Sequence, residues 1–135
     1  MRYVLFIVAL IGVAASSLAL HEHYRAYGDS PCNINEHWDC GIVNHSPYAV
    51  IHGIPVAVVG IAGYLLLAAL SLWRAYRVML LLAIPALAFA LYLAHIEAHV
   101  LGVWCLYCAI SLGTISLMTL FLIALVLIGI LRSAA

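Results

Sequence analysis

The chain has 135 residues, of which 68% are hydrophobic and 7% are charged. A typical soluble domain has roughly 25% charged residues, so this composition excludes an ordinary soluble globular domain and indicates that most side chains lie in lipid. There is no lysine, and five arginines balance five acids to give a net charge of zero. We therefore expect a lipid bilayer as the main surrounding and no nucleic acid partner.

Four apolar stretches are long enough to cross a bilayer, whose hydrocarbon core of about 30 Å needs roughly 20 apolar residues per helix. They cover residues 3–20, 51–73, 78–96 and 105–131, approximately. The links between the last three stretches are short, so consecutive helices should be antiparallel neighbours. The sequence predicts an all-α membrane protein with a single domain over residues 1–135, built as a bundle of four transmembrane helices.

The first stretch has a second interpretation. Its positive start, its apolar run and the sequence Ser17-Leu18-Ala19 are also typical of a cleaved signal peptide. The run is long for the apolar region of a signal peptide and long enough to span. We favour a retained helix, because cleavage would take one wall from the bundle.

The charges separate along the chain. Four arginines flank one set of helix ends: Arg2, Arg74, Arg77 and Arg132. All five acids and Arg25 fall at the other ends. The positive-inside rule then predicts a multi-pass protein of the inner (plasma) membrane with both termini in the cytoplasm. Residues 21–50 and 97–104 would face the periplasmic or extracellular side, with the loop 21–50 as a lid over a pocket near the outer face.

The outward loop carries the first cysteine pair. Cys32 and Cys40 stand in CNINEHWDC, with seven residues between them. This loop is rich in residues that favour turns, so it should rest on the helix ends. All four cysteines of the chain lie in or beside outward segments, where disulfides persist.

The second pair, Cys105 and Cys108, stands in VWCLYCAISLG at the start of the fourth stretch. Positions i and i+3 of a helix share a face, so the two sulfurs can form a disulfide within one turn. The positive end of the helix dipole favours the thiolate, which is the attacking form. A disulfide that closes so short a loop stabilises the fold weakly, which argues against a purely structural role.

Two pairs of this kind can pass electrons by thiol–disulfide exchange through a mixed disulfide. Two alternatives stay open. The cysteines and histidines could bind zinc, although the spacing of Cys32 and Cys40 is wide for a zinc knuckle. The chain could also be an inert bundle held by two disulfides. We favour the redox interpretation and expect no metal site.

The order of these motifs resembles the vitamin K epoxide reductase family. The resemblance is carried by the spaced C-x7-C of the first outward loop, Ser46-Pro47-Tyr48-Ala49, Gly53-Ile54-Pro55, and Trp104-Cys105-Leu106-Tyr107-Cys108. It covers nearly the whole chain. Another group of quinone-linked thiol oxidases in bacterial membranes has the CxxC in the first loop and the spaced pair in the second, which is the reverse of this order.

The resemblance implies an electron relay. Thiols of a partner protein meet Cys32, Cys40 exchanges with Cys105, and Cys108 reduces a quinone of the ubiquinone, menaquinone or vitamin K type. We expect no fused thioredoxin-like domain of the kind that some bacterial members carry, so the implied partner is a separate thioredoxin-like or DsbA-like protein. Animal members carry a tyrosine and an asparagine where this chain has Leu112 and Ala49. The resemblance therefore does not extend to epoxide reduction or to coumarin sensitivity.

A quinone gains negative charge on its two oxygens when it is reduced, so its pocket needs a few donors among apolar walls. The candidate donors are His52 at the outward mouth of the second helix, Ser46 and Ser111. His95 and His99 share one face at the end of the third helix. We favour a role for these two as anchors in the headgroup zone, with a place in the pocket as the alternative. Glu97 stands between them in sequence and is expected on another side of the helix.

Overall fold

A computed structural model describes residues 2–24, 38, 43 and 46–134 of the chain. Within them the fold has four α-helices, α1 Arg2–Tyr24, α2 Val56–Leu72, α3 Tyr76–Ile96 and α4 Leu106–Ala134. A π-helical turn, Glu97–Leu101, extends α3. A 3-10 turn, Pro47–Ala49, leads into two short strands, β1 Val50–Ile51 and β2 Ile54–Pro55. The predicted all-helical class is confirmed.

Three of the described helices are long and apolar enough to cross a membrane. They are α1, α3 together with its π-helical turn, and α4, with mean hydropathies of 2.4, 2.2 and 2.7. Their outer faces carry exposed leucines such as Leu81, Leu120 and Leu131, as lipid-facing surfaces do. α2 is equally apolar but has 17 residues, fewer than the roughly 20 that a full span needs. The molecule is therefore a helical membrane protein by the length and composition of its helices.

The second helix begins at Val56, and the predicted start at residue 51 was wrong. Residues 52 and 53 have positive φ angles of 50° and 83°, which turn the chain and pair Ile51 with Ile54 in an antiparallel hairpin. Pro55 ends β2, where it pairs with Val50, and it occupies the N-cap position of α2 without a side-chain hydrogen bond. Hydropathy could not show this boundary because the hairpin is as apolar as the helix. The other three helices correspond to the predicted stretches, with α1 continuing past residue 20 to Tyr24.

The bundle is centred on α1, which packs against both α2 and α4, while α3 packs mainly against α4. Two glycines let α1 and α2 approach closely. A Cβ added at Gly12 would collide with the ring of Tyr64, and one added at Gly60 would lie 2.8 Å from the Ser16 hydroxyl oxygen. Close approach over small residues is the usual way for helices to pack in lipid. The core of the bundle includes Leu5, Met79 and Leu122, all fully buried.

A second cluster lies at the junction of α3 and α4. The π-helical turn ends at Gly102, whose φ of 71° is left-handed, and the chain then reverses into α4. Val103 and Cys105 pack there against Val43, and Trp104 pairs with Trp38 through a backbone bridge. Most of the predicted lid, residues 25–37, 39–42 and 44–45, lies outside the described residues, as do Cys32 and Cys40. Two points of that loop, Trp38 and Val43, thus lie against the start of α4.

Candidate active site

The two sulfurs of the CxxC motif lie on one turn. Cys105 directly precedes α4 and Cys108 lies in its first turn. The backbone N–H of Cys108 donates to the Sγ atom of Cys105 at 3.3 Å, and the two side chains interact. The first N–H groups of a helix have no partner within the helix. Cys105 therefore fills the place of a capping side chain, and negative charge on its sulfur is favoured by this donor and by the helix dipole.

The two cysteines have different surroundings. Cys105 is fully buried beside Val43 and Val103. Cys108 is partly exposed and borders a cavity of about 410 Å³, of which Cys105 is not a lining residue. Cys108 also packs against this cluster, and Val43 lines the same cavity. The two cysteines therefore differ in their access to the cavity.

The cavity lies among the four helices, and each helix contributes to its wall. Its lining is mainly apolar, with Ala15 from α1, Gly60 from α2, Leu93 from α3 and Leu112 from α4 as examples. Its volume is within the range of roughly 300–1,000 Å³ that is usual for small-molecule sites. A few polar side chains interrupt the wall, which is the common pattern for a site that orients an apolar ligand.

One polar pair lies one turn beyond Cys108. The Tyr64 hydroxyl donates to the carbonyl oxygen of Ser111 at 2.8 Å and lies 3.0 Å from the Ser111 hydroxyl oxygen. Both residues line the cavity. Tyr64 is 6% exposed and is wedged against Gly12 of α1. The close packing of α1 on α2 thereby fixes a hydroxyl group in the cavity wall.

A model of the vitamin K epoxide reductase family matches residues 3–127. The chain belongs to this family. No curated protein matches the chain at a significant level. The family match runs from the first turn of α1 through most of α4 and includes the CxxC motif. The general activity that follows from family membership is that of a membrane oxidoreductase that acts on thiols.

Among the pocket residues predicted for this family member, Ser46 and Ser111 line the cavity. Ser46 is buried, and its hydroxyl donates to the carbonyl oxygen of Val43 at 2.8 Å. His52 is exposed at the tip of the β1–β2 hairpin and is not among the lining residues. The apolar sequence around His52 led to the prediction that it lies at the mouth of a helix. In the structure, the turn at residues 52 and 53 directs it away from the cavity.

The paired histidines at the end of α3 also lie outside the cavity lining. The rings of His95 and His99 have centroids 4.6 Å apart and are tilted by 46°, and both residues are exposed. Their shared face was predicted correctly. The face that carries these two histidines points away from the cavity. The opposite side of the same helical turn is the side that contacts the cysteines.

Glu97 occupies that opposite side, and the sequence analysis gave it no role. It is 4% exposed, its Oε2 atom accepts a hydrogen bond from the Cys105 N–H at 3.3 Å, and its carboxyl interacts with the Cys108 thiol. The sequence did contain a signal for Glu97: it is an acid at the border of an apolar span, and such a group is costly to place in lipid unless it has partners. Tyr64, the single polar ring of α2, was missed in the same way.

The described residues include no group of three or more His, Cys, Asp or Glu side chains placed to hold a metal ion. The Glu97 carboxyl is directed at the backbone N–H of Cys105.

Proposed function

We propose that the protein carries electrons from the thiols of a separate thioredoxin-like partner to a membrane quinone and so supports disulfide formation outside the cytoplasm. Electrons would pass from the partner to Cys32 and Cys40, then to Cys105 and Cys108. The observation that carries the proposal is the division of the CxxC pair. Cys108 borders the apolar cavity, whereas Cys105 is fully buried and is not among the lining residues.

This division matches the two steps that a relay needs. Thiol–disulfide exchange requires the incoming sulfur to reach one particular sulfur of the receiving pair. Both cysteines pack in the cluster that contains Val43, a residue of the loop that bears Cys32 and Cys40. Cys105 does not line the cavity, so we assign exchange with that loop to Cys105. Cys108 is then left to meet the final electron acceptor in the cavity.

The cavity fits a quinone head group. Its wall is mainly apolar, as a lipid-soluble ring requires, and it presents the hydroxyls of Tyr64 and Ser111 close to Cys108. The Ser111 hydroxyl can donate to a carbonyl oxygen that gains negative charge, while the Tyr64 hydroxyl donates to the backbone carbonyl of Ser111 and holds this wall in place. A bound quinone supplies a two-electron acceptor. Ser46, at the side of the cavity near the 3-10 turn, is held by Val43 and would shape the entrance.

The orientation in the membrane follows from the same elements. Arg74 lies between α2 and α3, at the end of the bundle that also holds Arg2 and Arg132. The CxxC motif and Glu97 lie at the other end. With the arginines in the cytoplasm, the relay would open toward the compartment in which disulfides persist.

An anaerobic assay tests the function. Purified protein, reduced with a small dithiol, is mixed with ubiquinone and menaquinone analogues side by side, and loss of quinone absorbance is followed. We expect wild type to oxidise the dithiol and reduce a quinone, and Cys105→Ser and Cys108→Ser to do neither. The control is His52→Asn, because His52 is outside the cavity and asparagine tolerates its positive φ.

Two results would replace the proposal. Stoichiometric zinc in reduced protein without quinone reduction would favour a metal-binding protein. A disulfide content that does not change after exposure to partner and quinone would favour a structural bundle. Loss of activity in His52→Asn but not in Cys108→Ser would contradict the assignment of the cavity.

A further inference from the structure

We propose that Glu97 is a catalytic proton acceptor for the Cys105–Cys108 pair, taking the proton that leaves the Cys108 thiol when the pair is oxidised. The inference rests on the proposed function and adds a residue to it. It begins from a carboxyl group that is almost fully buried and directed at both members of the pair.

The local backbone brings Glu97 to the cysteines. The π-helical turn Glu97–Leu101 and the left-handed Gly102 reverse the chain between α3 and α4, so that Glu97 reaches the N–H of Cys105, eight residues later, at 3.3 Å. A carboxylate has about four acceptor positions on its two oxygens. The bond to Cys105 therefore leaves capacity on Glu97 to receive a proton.

A structural role alone does not account for an acid at this position. The N–H of Cys105 needs an acceptor, and the neutral amide of a glutamine would provide one equally well. An ionisable side chain at the border of a membrane span is costlier to bury than an amide and is for that reason a functional candidate. The feature that glutamine lacks is the ability to gain and lose a proton.

Glu97 also stands beside the reacting thiol. The other ionisable groups among the described lining residues are His23 from α1, Tyr48 from the 3-10 turn, Tyr64 from α2, and Tyr107 and Cys108 from α4. Glu97 is the one carboxyl among the described lining residues, and it interacts with the Cys108 thiol directly. On its own helix His95 and His99 are exposed and contact each other.

Electrons and protons are conserved in the reaction of the pair with the quinone. Oxidation of the dithiol removes two electrons and two protons: both S–H bonds break and one Sγ–Sγ bond forms. The quinone takes the electron pair and two protons to become a quinol. Glu97 receives the Cys108 proton and releases it into the cavity, so it is unchanged after the cycle. Transfer from Cys108 to Glu97 leaves the charge of this apolar site constant, whereas loss of the proton without a nearby base would add a negative charge that burial disfavours.

The test compares Glu97→Gln with wild type in two measurements. Glutamine keeps the acceptor for the Cys105 N–H and the size of the side chain but cannot carry the proton. We expect quinone reduction by the pre-reduced variant to slow by about 100-fold, the lower end of what a positioned base contributes. The second measurement is alkylation of Cys108 by a small maleimide in the absence of quinone, in buffers from about pH 6 to pH 9. The variant should react at the wild-type rate or faster, because a negative charge beside the thiol has been removed.

The outcomes separate the possible roles of Glu97. A variant that reduces quinone at the wild-type rate would overturn the inference and leave the proposed function intact. If both quinone reduction and alkylation slow together, Glu97 only holds the turn in place, and the inference is wrong. Wild-type protein that reduces no quinone would instead refute the proposed function itself.

Two further variants complete the design. Glu97→Asp keeps the carboxyl with a shorter reach and should retain more of the rate than Glu97→Gln; an aspartate variant as slow as the glutamine variant would count against proton transfer. If the Glu97→Gln variant does not fold, the rate of the Glu97→Asp variant still tests the inference. His99→Gln is the matched control, since His99 lies on the same turn but faces away from the cavity, and its rate should equal that of wild type.

Discussion

The Oε2 atom of Glu97 lies 3.3 Å from the backbone nitrogen of Cys105, across the reversal that joins α3 to α4. This hydrogen bond ties the end of one apolar helix to the redox motif at the start of the next. Cys105 is fully buried in the cluster with Val43 and Val103, and Cys108, one turn further along, borders the cavity.

The first prediction concerns access to the two sulfurs. A small apolar maleimide added to reduced protein should alkylate Cys108 at least about tenfold faster than Cys105, because Cys105 has no exposed surface and Cys108 borders the cavity. Peptide mapping after short labelling times measures the ratio. Preincubation with a quinone analogue should slow labelling of Cys108. Equal labelling of both sulfurs would show that they share one environment.

The second prediction concerns the tyrosine in the cavity wall. Tyr64→Phe removes the hydrogen bonds to Ser111 and should lower the free energy of unfolding in detergent by about 1 kcal/mol. It should also raise the KM for quinone, because the Ser111 hydroxyl loses the partner that positions it in the cavity wall.

Ser111→Ala is the control for that prediction. It removes a side-chain hydroxyl but leaves the stronger contact, from Tyr64 to the backbone carbonyl of Ser111, so its effect on stability should be smaller. A larger loss in Ser111→Ala than in Tyr64→Phe would show that the serine hydroxyl, and not the tyrosine, holds this wall.

The third prediction concerns the contact of α1 with α2. Gly12→Ala places a methyl group against the Tyr64 ring and should destabilise the bundle by about 1–3 kcal/mol, the usual cost of overpacking. Thermal unfolding in detergent measures it. Gly113→Ala is the matched control, since nothing lies within 4 Å of a Cβ added there and alanine is the better helix former. It should be neutral or stabilising.

The fourth prediction concerns the order of electron transfer. Cys40 is closer in sequence to β1 than Cys32 is, so we expect Cys108→Ala to accumulate a disulfide between Cys40 and Cys105. Cys32→Ala should stop oxidation of a protein partner but spare quinone reduction by a small dithiol. Non-reducing peptide mapping identifies the trapped bridge. A dominant bridge between Cys32 and Cys105 would reverse the roles of the loop cysteines and leave quinone reduction unaffected.

The fifth prediction concerns orientation. In a chain whose native cysteines are replaced by serine, Trp73→Cys should react with a membrane-impermeant maleimide only after cells are opened. Trp73 is 76% exposed and stands beside Arg74. His99→Cys, at the opposite end of the bundle, should react in intact cells. Labelling of residue 73 from outside would invert the topology.

The sequence predicted the helices well because hydropathy is summed over many residues and a bilayer requires long apolar runs. It predicted that the side chains of Cys105 and Cys108 lie together, because positions i and i+3 share one face at the start of a helix. The turn at His52 and Gly53 was missed, because a change of φ at two residues does not alter the hydropathy of the apolar stretch around them. Glu97 was missed because helical periodicity separated it correctly from His95 and His99 but could not tell which of the two faces meets α4.

The length of α2 has a consequence for the surrounding lipid. Its 17 residues rise about 25 Å, less than the roughly 30 Å of a typical hydrocarbon core. The β1–β2 hairpin pairs its own backbone groups, so it can lie near the acyl boundary without leaving them unsatisfied. The remaining hydrophobic mismatch favours a thinner bilayer on this side of the protein. Such local thinning would bring the acyl chains of the outer leaflet level with the cavity, so that an isoprenoid tail could extend sideways into lipid.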